Sequence, residues 1–320
     1  MKKEILNISK HIFNNNNKQS LIELDKLIAF KSEFPNCCSG CSGYGWNGST
    51  EYKKDIKQSW YTLLPVFREF LIDHINGAID KDYNLKFPVF KKGNGKLPFL
   101  NYSTIPVINC PGAGACATEN YCYSLKSLRF PKSTLSWLQN QILENHYFDL
   151  IELELEKYLK SNHKKQLKNN LNIDFRLYND GDFSTLNNMV LWFNLLKKYP
   201  NLKTYGYTKS LHLVKELTLT GYEFPENYRF NISSGSKYEY LKNDAVLKNN
   251  PCYRGNFIAF DLNGRKISPT KINKNDIKTI RNSFNKKVFI CPGLCASCTS
   301  IGHACGNSKF DDIDIIVTKH

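Results

Sequence analysis

The stretch from 172 to 207, NIDFRLYNDGDFSTLNNMVLWFNLLKKYPNLKTYGY, decides the fold class. It opens at 172–178 with an alternation of apolar and polar residues that is typical of a half-buried strand. The spacing of apolar residues over 186–199 predicts a helix that ends before Pro200, and 202–207 predicts a second strand. A strand, a helix and a strand in this order indicate a βαβ unit with parallel strands.

The same alternation of predicted strands and helices continues on both sides of this stretch. Further strands are predicted over 105–108, 228–232, 257–261 and 288–290, and further helices over 60–79, 133–143, 149–159 and 211–219. We therefore predict an α/β fold, a partial or irregular (β/α) barrel of mostly parallel strands with an N-terminal extension and a C-terminal cysteine-rich segment. The predicted boundaries are 1–95 for the extension with a helix and a Cys-rich loop, 96–285 for the barrel core and 286–320 for the metal-binding segment.

Composition bounds the class of protein. The 320 residues carry a formal net charge of +15, which is typical of proteins that bind nucleic acid but also follows from a Lys- and Asn-rich composition. The N-terminus is charged and polar, and no segment is apolar for long enough to span a bilayer. We therefore expect a cytoplasmic protein without a membrane partner, whose reduced cysteines bind metal instead of forming disulfides.

The eleven cysteines are clustered, and the central cluster lies on a loop that contains proline and glycine. Its thiols are Cys110, Cys116 and Cys122. Three thiolates can hold three irons of a four-iron cluster and leave the fourth iron open, or can bind zinc together with a ligand from elsewhere. Gly112 and Gly114 allow the loop to wrap around such a centre.

A second cluster of cysteines lies near the end of the chain. It consists of Cys291, Cys295, Cys298 and Cys305, and His303 could replace one of these thiolates. Four sulfurs close a site completely, as in structural zinc or in a four-iron cluster without an open position, and the sequence leaves both metals open. The remaining cysteines, which either supply a third centre or bind nothing, are Cys37, Cys38, Cys41 and Cys252.

Polar residues follow two of the predicted strands. These are Asp180, Gly181 and Asp182 after the strand at 172–178, and Ser234 and Ser236 after the strand at 228–232. The carboxyl ends of parallel strands share one face, so we expect these residues to converge there. Asp180 and Asp182 are candidates for catalysis or for binding an amine, a ribose or a metal, although Asp182 or Ser184 could simply cap the next helix. The serines could bind a carboxylate or phosphate, or act as caps.

Taken in order, these motifs resemble a phage-encoded family labelled gene product 88-like. The resemblance covers roughly residues 95–307, about one domain in size. The motifs that carry it are CPGAGACATENYCY at 110–123, GDF at 181–183, YGYTKS at 205–210, SSGS at 233–236 and CPGLCASC at 291–298.

That family in turn remotely resembles the radical SAM enzymes, which are partial barrels. In them, three cysteines after the first strand hold a four-iron cluster whose open iron binds S-adenosylmethionine. The resemblance implies such a cluster on the central cysteines, with Tyr121 as the aromatic residue before the third one, although five residues separate each pair here instead of the usual Cys-x3-Cys-x2-Cys. It also implies that Asp180, Gly181 and Asp182 lie where those enzymes hold the methionine amino group, and that Ser234 meets the ribose or carboxylate.

The sequence therefore predicts an iron–sulfur, radical SAM-like enzyme with one or two [4Fe-4S] clusters. The resemblance implies S-adenosylmethionine as cofactor, a reductant such as flavodoxin or ferredoxin as partner, and a place in the cytoplasm of the phage's host. The net charge of +15 indicates a nucleic acid or nucleotide as substrate. The alternative is a zinc-stabilised nucleic-acid-binding protein without catalysis. A third interpretation, a zinc hydrolase that uses Asp180 and Asp182, has no His-Glu zinc motif to support it.

Overall fold

The computed structural model describes residues 2–29, 50–119 and 121–319. Of residues 50–57 it describes the backbone alone. The predicted Cys-rich loop that contains Cys37, Cys38 and Cys41 lies outside the described residues. The chain divides into two compact units. The first comprises Met1–Val89, Thr104–Asn109 and Ser124–Glu154, and the second comprises Phe90–Ser103, Cys110–Tyr123 and Leu155–His320. The division into three segments at residues 95 and 285 stays a prediction.

The described helices and strands are numbered here in chain order. The helices are α1 (Lys2–Phe13), α2 (Asn17–Ala29), α3 (Thr50–Ile75), α4 (Ala115–Thr118), α5 (Ser124–Ser127), α6 (Pro131–His146), α7 (Phe148–Asn162), α8 (Lys164–Lys168), α9 (Leu186–Lys198), α10 (Leu211–Leu219), α11 (Ala245–Lys248) and α12 (Lys274–Asn282). The strands are β1 (Leu100–Asn101), β2 (Ile173–Arg176), β3 (Leu202–Thr208), β4 (Tyr228–Ser233), β5 (Tyr253–Phe260), β6 (Val288–Ile290) and β7 (Asp314–Thr318).

The first unit is helical, and its core forms from amphipathic faces. Ile5, Ile8 and Ile12 recur at helical spacing along α1 and are fully buried. A reciprocal pair of buried hydrogen bonds joins α1 to α6. Ser9 Oγ donates to Gln141 Oε1 at 2.7 Å, and Gln141 Nε2 donates to the Ser9 carbonyl at 2.9 Å. Both polar side chains are thus satisfied within the core, as burial requires.

The second unit is built on one parallel sheet of seven described strands in the order β1-β2-β3-β4-β5-β7-β6. α9 connects β2 to β3, and α10 connects β3 to β4, as the alternation of strands and helices in the sequence predicts. The predicted α/β class with parallel strands is confirmed. No helix in the described ranges combines the length and the apolar character that crossing a membrane would need.

One predicted strand is wrong, and two strands were not predicted. The predicted strand at 105–108 falls on a turn over 106–109, in which the Ile108 N–H donates to the Pro106 carbonyl at 2.9 Å and Val107 has a φ of +71°. Proline has no N–H to offer to a ladder, which explains why an apolar run here is not a strand. The first strand is β1, which is too short for its periodicity to be visible. β7, which the sequence reading missed, pairs between β5 and β6.

The two faces of the sheet differ in chemistry. Phe175 lies on the face that packs against α9, where its ring centroid is 6.2 Å from that of Trp192. On the opposite face, Arg176 is paired in register with Tyr205, and Tyr207 is paired with Asn231. Because side chains alternate along a strand, one face of this sheet is apolar and the other carries buried polar groups.

Trp192 is expected to be a major contributor to the stability of the second unit. It is fully buried, and its ring centroid lies 4.6 Å from that of Tyr102. Trp192→Ala is expected to lower the free energy of unfolding by about 3–5 kcal/mol, because it removes apolar contacts and leaves a cavity. Leu219→Ala, at a side chain that is 66% exposed, is the control and is expected to change it by less than about 0.5 kcal/mol. Denaturant unfolding measures both, and equal effects would contradict the assigned core.

Candidate functional site

The cysteine loop, residues 110–122, carries the three thiols that were predicted to bind a cluster. The loop turns at Cys110, whose carbonyl accepts from the Ala113 N–H at 2.8 Å, and again where the Cys122 N–H donates to the Cys116 carbonyl at 2.9 Å. Cys116 lies on α4 and is buried, whereas Cys110 and Cys122 are half-buried. The three cysteines are thus carried by one compact, internally hydrogen-bonded loop.

Backbone hydrogen bonds attach the cysteine loop to the turn after β4. The Gly114 N–H donates to the Gly235 carbonyl at 3.0 Å, and the Lys237 N–H donates to the Gly112 carbonyl at 2.9 Å. β4 ends at Ser233, just before this turn. The cysteine loop therefore lies at the carboxyl edge of the parallel sheet.

Two glycines allow the backbones to approach this closely. A Cβ on Gly112 would lie 1.8 Å from the carbonyl oxygen of Lys209, which belongs to the turn after β3. A Cβ on Gly235, whose φ is +79°, would lie 2.0 Å from the hydroxyl oxygen of Tyr121. Neither position has room for a side chain, so glycine is required for the contact itself.

Asp182 is buried and fixes the turn after β3. Its Oδ2 accepts from the backbone N–H groups of Lys209 at 2.7 Å and of Ser210 at 3.2 Å, and its Oδ1 accepts from the Phe183 N–H at 2.8 Å. Burial raises the pKa of Asp182, and the hydrogen bond from the Lys209 backbone opposes that rise. Asp182 was a candidate for catalysis, but its contacts are those of a residue that positions the turn after β3.

Lys209 places a positive charge beside the cysteine loop. Its Nζ donates to Ser233 Oγ at 2.6 Å. Burial raises the pKa of the Cys116 thiol, while the nearby ammonium of Lys209 lowers it and Cys122 raises it. The charge of Lys209 and the thiol of Cys122 therefore both act on Cys116 directly.

Asp180 is also buried, and polar neighbours already hold its carboxylate. Its Oδ2 accepts from Asn179 Nδ2 at 2.8 Å and from Ser103 Oγ at 3.4 Å. Gly181 has a φ of +86°, which lets the chain turn sharply between the two carboxylates. Neither aspartate caps α9. Thr185 does so, because its side chain accepts from the Asn188 N–H, so the prediction that Asp182 or Ser184 caps this helix is wrong.

The two serines predicted to bind a cofactor hold turns together in this structure. Ser234 Oγ accepts from the Ala259 N–H at 2.8 Å, which ties the end of β4 to β5. Ser236 Oγ donates to the Lys209 carbonyl at 2.7 Å and accepts from the Tyr238 N–H at 3.1 Å. Both residues do lie at the carboxyl edge, as the sequence predicts.

The C-terminal cysteine group, which comprises Cys291, Cys295, Cys298 and Cys305, begins directly after β6. The Gly293 N–H points at Cys291 Sγ at 3.4 Å. Burial, together with Cys291 and Cys295, raises the pKa of Cys298 to about 11. Burial likewise raises the pKa of Cys305 to about 12, and Cys291 again acts on it in the same direction. The four thiols thus belong to one electrostatic group.

Two buried arginines face the C-terminal cysteine group, and the sequence reading missed both. Arg176 acts electrostatically on Cys295, and Arg254 acts on Cys305. Tyr207 packs against the same apolar cluster as Cys305 and lowers the pKa of that thiol. Arginine is usually exposed, so residue type alone gives no signal of this burial. The alternation over 172–178, which places Arg176 on one definite face, was the only available hint.

The side chains of two other metal-ligand candidates contact groups other than the clustered cysteines. His303 Nε2 is 3.5 Å from Asp174 Oδ2. Cys252 is buried and its Sγ donates to the Pro225 carbonyl at 3.4 Å, which is the environment of a structural thiol. In this conformation, no three Cys, His, Asp or Glu side chains among the described residues are arranged to share one metal ion.

Gly112→Ala is expected to detach the cysteine loop from the turn after β3, because the new methyl group would overlap the Lys209 carbonyl. The expected result is a lower midpoint of thermal unfolding and faster reaction of the loop thiols with a thiol reagent. Gly95→Ala is the matched control, since a methyl group added at that position would have no neighbour within 4 Å. Identical behaviour of the two variants would contradict the close approach described for Gly112.

The raised pKa of Asp182 predicts a pH-dependent contribution to stability. A carboxyl group whose pKa is raised by folding stabilises the folded state below its unfolded pKa of 3.8, and this stabilisation is lost as the pH rises through the folded pKa. The free energy of unfolding of the wild type is therefore expected to fall relative to that of Asp182→Asn as the pH rises from 3.8. Urea unfolding at several pH values measures the difference, and a constant difference would contradict this pKa shift.

Comparison with known proteins places the chain in a family. The family described as gene product 88 matches residues 80–297, which is more than half of the 320-residue chain. No curated protein matches the chain. No solved structure matches it either. The matched range includes the sheet from β1 to β6, the cysteine loop and the first two cysteines of the C-terminal group. The chain belongs to the gene product 88 family.

Proposed function

We propose that the chain is an iron–sulfur enzyme of radical SAM-like architecture. The cysteine loop holds a four-iron cluster through Cys110, Cys116 and Cys122 and leaves one iron open. The observation that carries the proposal is the attachment of this loop to the turns after β3 and β4, at the carboxyl edge of a parallel sheet. This edge is where α/β enzymes bind ligands and place their chemistry.

The donor set of the cysteine loop suits a cluster with an open position. Its three thiols are the number that leaves one of four irons without a ligand from the loop. When bound, such a cluster supplies one-electron chemistry to a molecule at the open iron. The chain's own residues hold the thiols in place. Burial raises the pKa of Cys116, and the positive charge of Lys209 offsets part of this rise.

The sheet supports the proposed partial barrel. Strands β1 to β5 are neighbours in sequence order and all run parallel, as successive βαβ units of a barrel would. β7 then lies between β5 and β6, so the last two strands depart from this order. We accordingly propose an irregular partial barrel with the cysteine loop at its carboxyl edge.

S-adenosylmethionine stays a prediction that these contacts do not favour. The hydroxyl groups of Ser234 and Ser236 are engaged with backbone groups, and Asp180 is buried among polar neighbours. Accepting the cofactor would require these residues to give up those contacts. The proposal of a cluster does not depend on them, because the thiols lie on a different loop.

The C-terminal cysteine group is proposed to hold an auxiliary centre, either a second cluster or zinc. The donor set is that of a closed site, because it has four thiols and a backbone N–H points at one sulfur. In the described conformation these side chains do not share one metal position, so binding would draw the thiols together. An electron donor such as a flavodoxin or ferredoxin of the cytoplasm is the partner that an iron–sulfur enzyme would need. The reading as a zinc hydrolase is disfavoured, since Asp180 and Asp182 are buried and already hydrogen bonded.

Metal analysis of the oxygen-free protein tests the proposal. The wild type is expected to contain iron and acid-labile sulfide, and Cys116→Ala is expected to lose the cluster of the cysteine loop while the C-terminal centre stays. Cys252→Ala is the matched control, because this thiol belongs to neither group, and its metal content is expected to equal that of the wild type.

Zinc without iron or sulfide would contradict the iron–sulfur proposal and favour the zinc-stabilised nucleic-acid-binding protein. That alternative makes a further measurable claim, since binding through phosphates weakens steeply as the salt concentration rises. Loss of all metal from Cys116→Ala would contradict the division into two separate centres.

A further inference from the structure

Arg176 and Arg254 are buried on the same face of the sheet. Arg176 ends β2 and is 7% exposed, and Arg254 lies in β5 and is fully buried. Tyr253 is paired with Phe230 on the opposite face, so the alternation of side chains places Arg254 on the face of Asn231. The register shift between Phe230 and Asn231 leaves Arg254 as the extra residue there. Its Nε donates to Asn231 Oδ1.

The hydrogen-bond partners of both guanidinium groups are neutral. Arg176 donates to the Tyr123 hydroxyl at 3.2 Å and stacks over the Tyr207 ring at 4.5 Å. Arg254 donates to the carbonyls of Phe310 at 2.7 Å and Ile313 at 2.9 Å. One nitrogen of each guanidinium has no hydrogen-bond partner among the described residues.

Within the described ranges, neither arginine forms an ion pair with a carboxylate. The exposed Asp311 lies within electrostatic range of Arg254 but does not contact it. Burial lowers the pKa of Arg254, whereas at Arg176 the neighbouring Tyr123, Tyr207 and Tyr205 outweigh the effect of burial and raise the pKa. Burying a guanidinium without a carboxylate partner is costly, so this face has a place for a negative charge.

The C-terminal cysteine group lies where that charge would be. Asn231 accepts from Arg254 and donates to the Cys305 carbonyl at 2.8 Å. Tyr207, over which Arg176 stacks, packs together with Cys295 and Cys305 against the cluster of Leu97, Phe99 and Tyr205. Protonated thiols are neutral, but four thiolates around a zinc ion or a four-iron cluster in its usual state leave two net negative charges.

We infer that Arg176 and Arg254 are the buried countercharges of a dianionic four-thiolate metal centre on the C-terminal cysteine group. The two positive charges balance the two negative charges of the loaded centre. The inference rests on the auxiliary centre of the proposed function and assigns it a second set of residues. These residues position and stabilise the centre through charge, and the inference holds for zinc and for an iron–sulfur cluster alike.

Metal retention tests the inference. The wild type, Arg176→Met and Arg176→Lys are purified without oxygen, their iron and zinc are quantified, and the rate of metal transfer to a chelator is measured. Arg176→Met is expected to release the metal about 10–100-fold faster, the usual effect of removing a group that supports metal ligands. Arg176→Lys keeps the charge and is expected to stay close to the wild type. Arg68→Met, which removes an exposed arginine paired with Asp25, is the control.

Cys291→Ala separates the two possible failures. If this variant keeps all of the wild-type metal, the auxiliary centre itself is wrong. If it loses metal but Arg176→Met retains metal as firmly as the wild type, the countercharge inference is overturned and the centre stands. The metal that Cys291→Ala lacks relative to the wild type identifies what the C-terminal cysteine group binds. Loss of iron together with sulfide indicates a cluster, and loss of zinc indicates a zinc site.

A thermodynamic cycle keeps the inference testable even if Arg176→Met is poorly stable. In the wild type, Arg176→Met is expected to lower the midpoint of thermal unfolding, because the loaded centre loses a countercharge. On the metal-free Cys291→Ala background the same change is expected to raise the midpoint, because it removes an uncompensated buried charge. The same sign on both backgrounds would overturn the inference.

Discussion

The hydrogen bonds that the buried carboxylate of Asp182 accepts from Lys209 and Ser210 hold the turn after β3, and the candidate site depends on this turn. The Lys209 carbonyl accepts from Ser236 and lies against Gly112, so one turn contacts both the next loop and the cysteine loop. A carboxylate can satisfy several backbone donors at once, which makes a single buried residue able to fix three segments.

A different constraint acts on the polar face of the sheet. There, the positive charges of the buried arginines must be balanced, whereas at Asp182 backbone N–H groups need hydrogen-bond acceptors. The bulge in β5 brings Arg254 beside Asn231, whose side chain also donates to the Cys305 carbonyl at 2.8 Å. This places the end of the cysteine-rich segment directly on the strands. The segment from residue 286 therefore contributes both thiols and two strands, β6 and β7, to the same sheet.

The sequence was most informative where the hydrophobic periodicity and the residues that end helices or strands agreed. α9 and β3 lie within one residue of their predicted bounds, because Pro200 separates a helical period from an alternating one. The turn at Pro106 was mistaken for a strand because a short apolar run carries no sign of its backbone geometry. Arg176 and Arg254 could not be predicted, since their burial follows from strand register and a bulge, which single residues do not encode. The separation of Cys252 from the other thiols likewise depends on tertiary packing.

The central claim is that the cysteine loop and the C-terminal cysteine group hold two distinct metal centres, with a cluster on the loop. Anomalous X-ray diffraction from crystals grown without oxygen, recorded at the iron and zinc absorption edges, locates each metal directly. We expect an iron peak among Cys110, Cys116 and Cys122, and a second peak of iron or zinc within the C-terminal group. Crystals with no metal at the cysteine loop, or with zinc there, would contradict it.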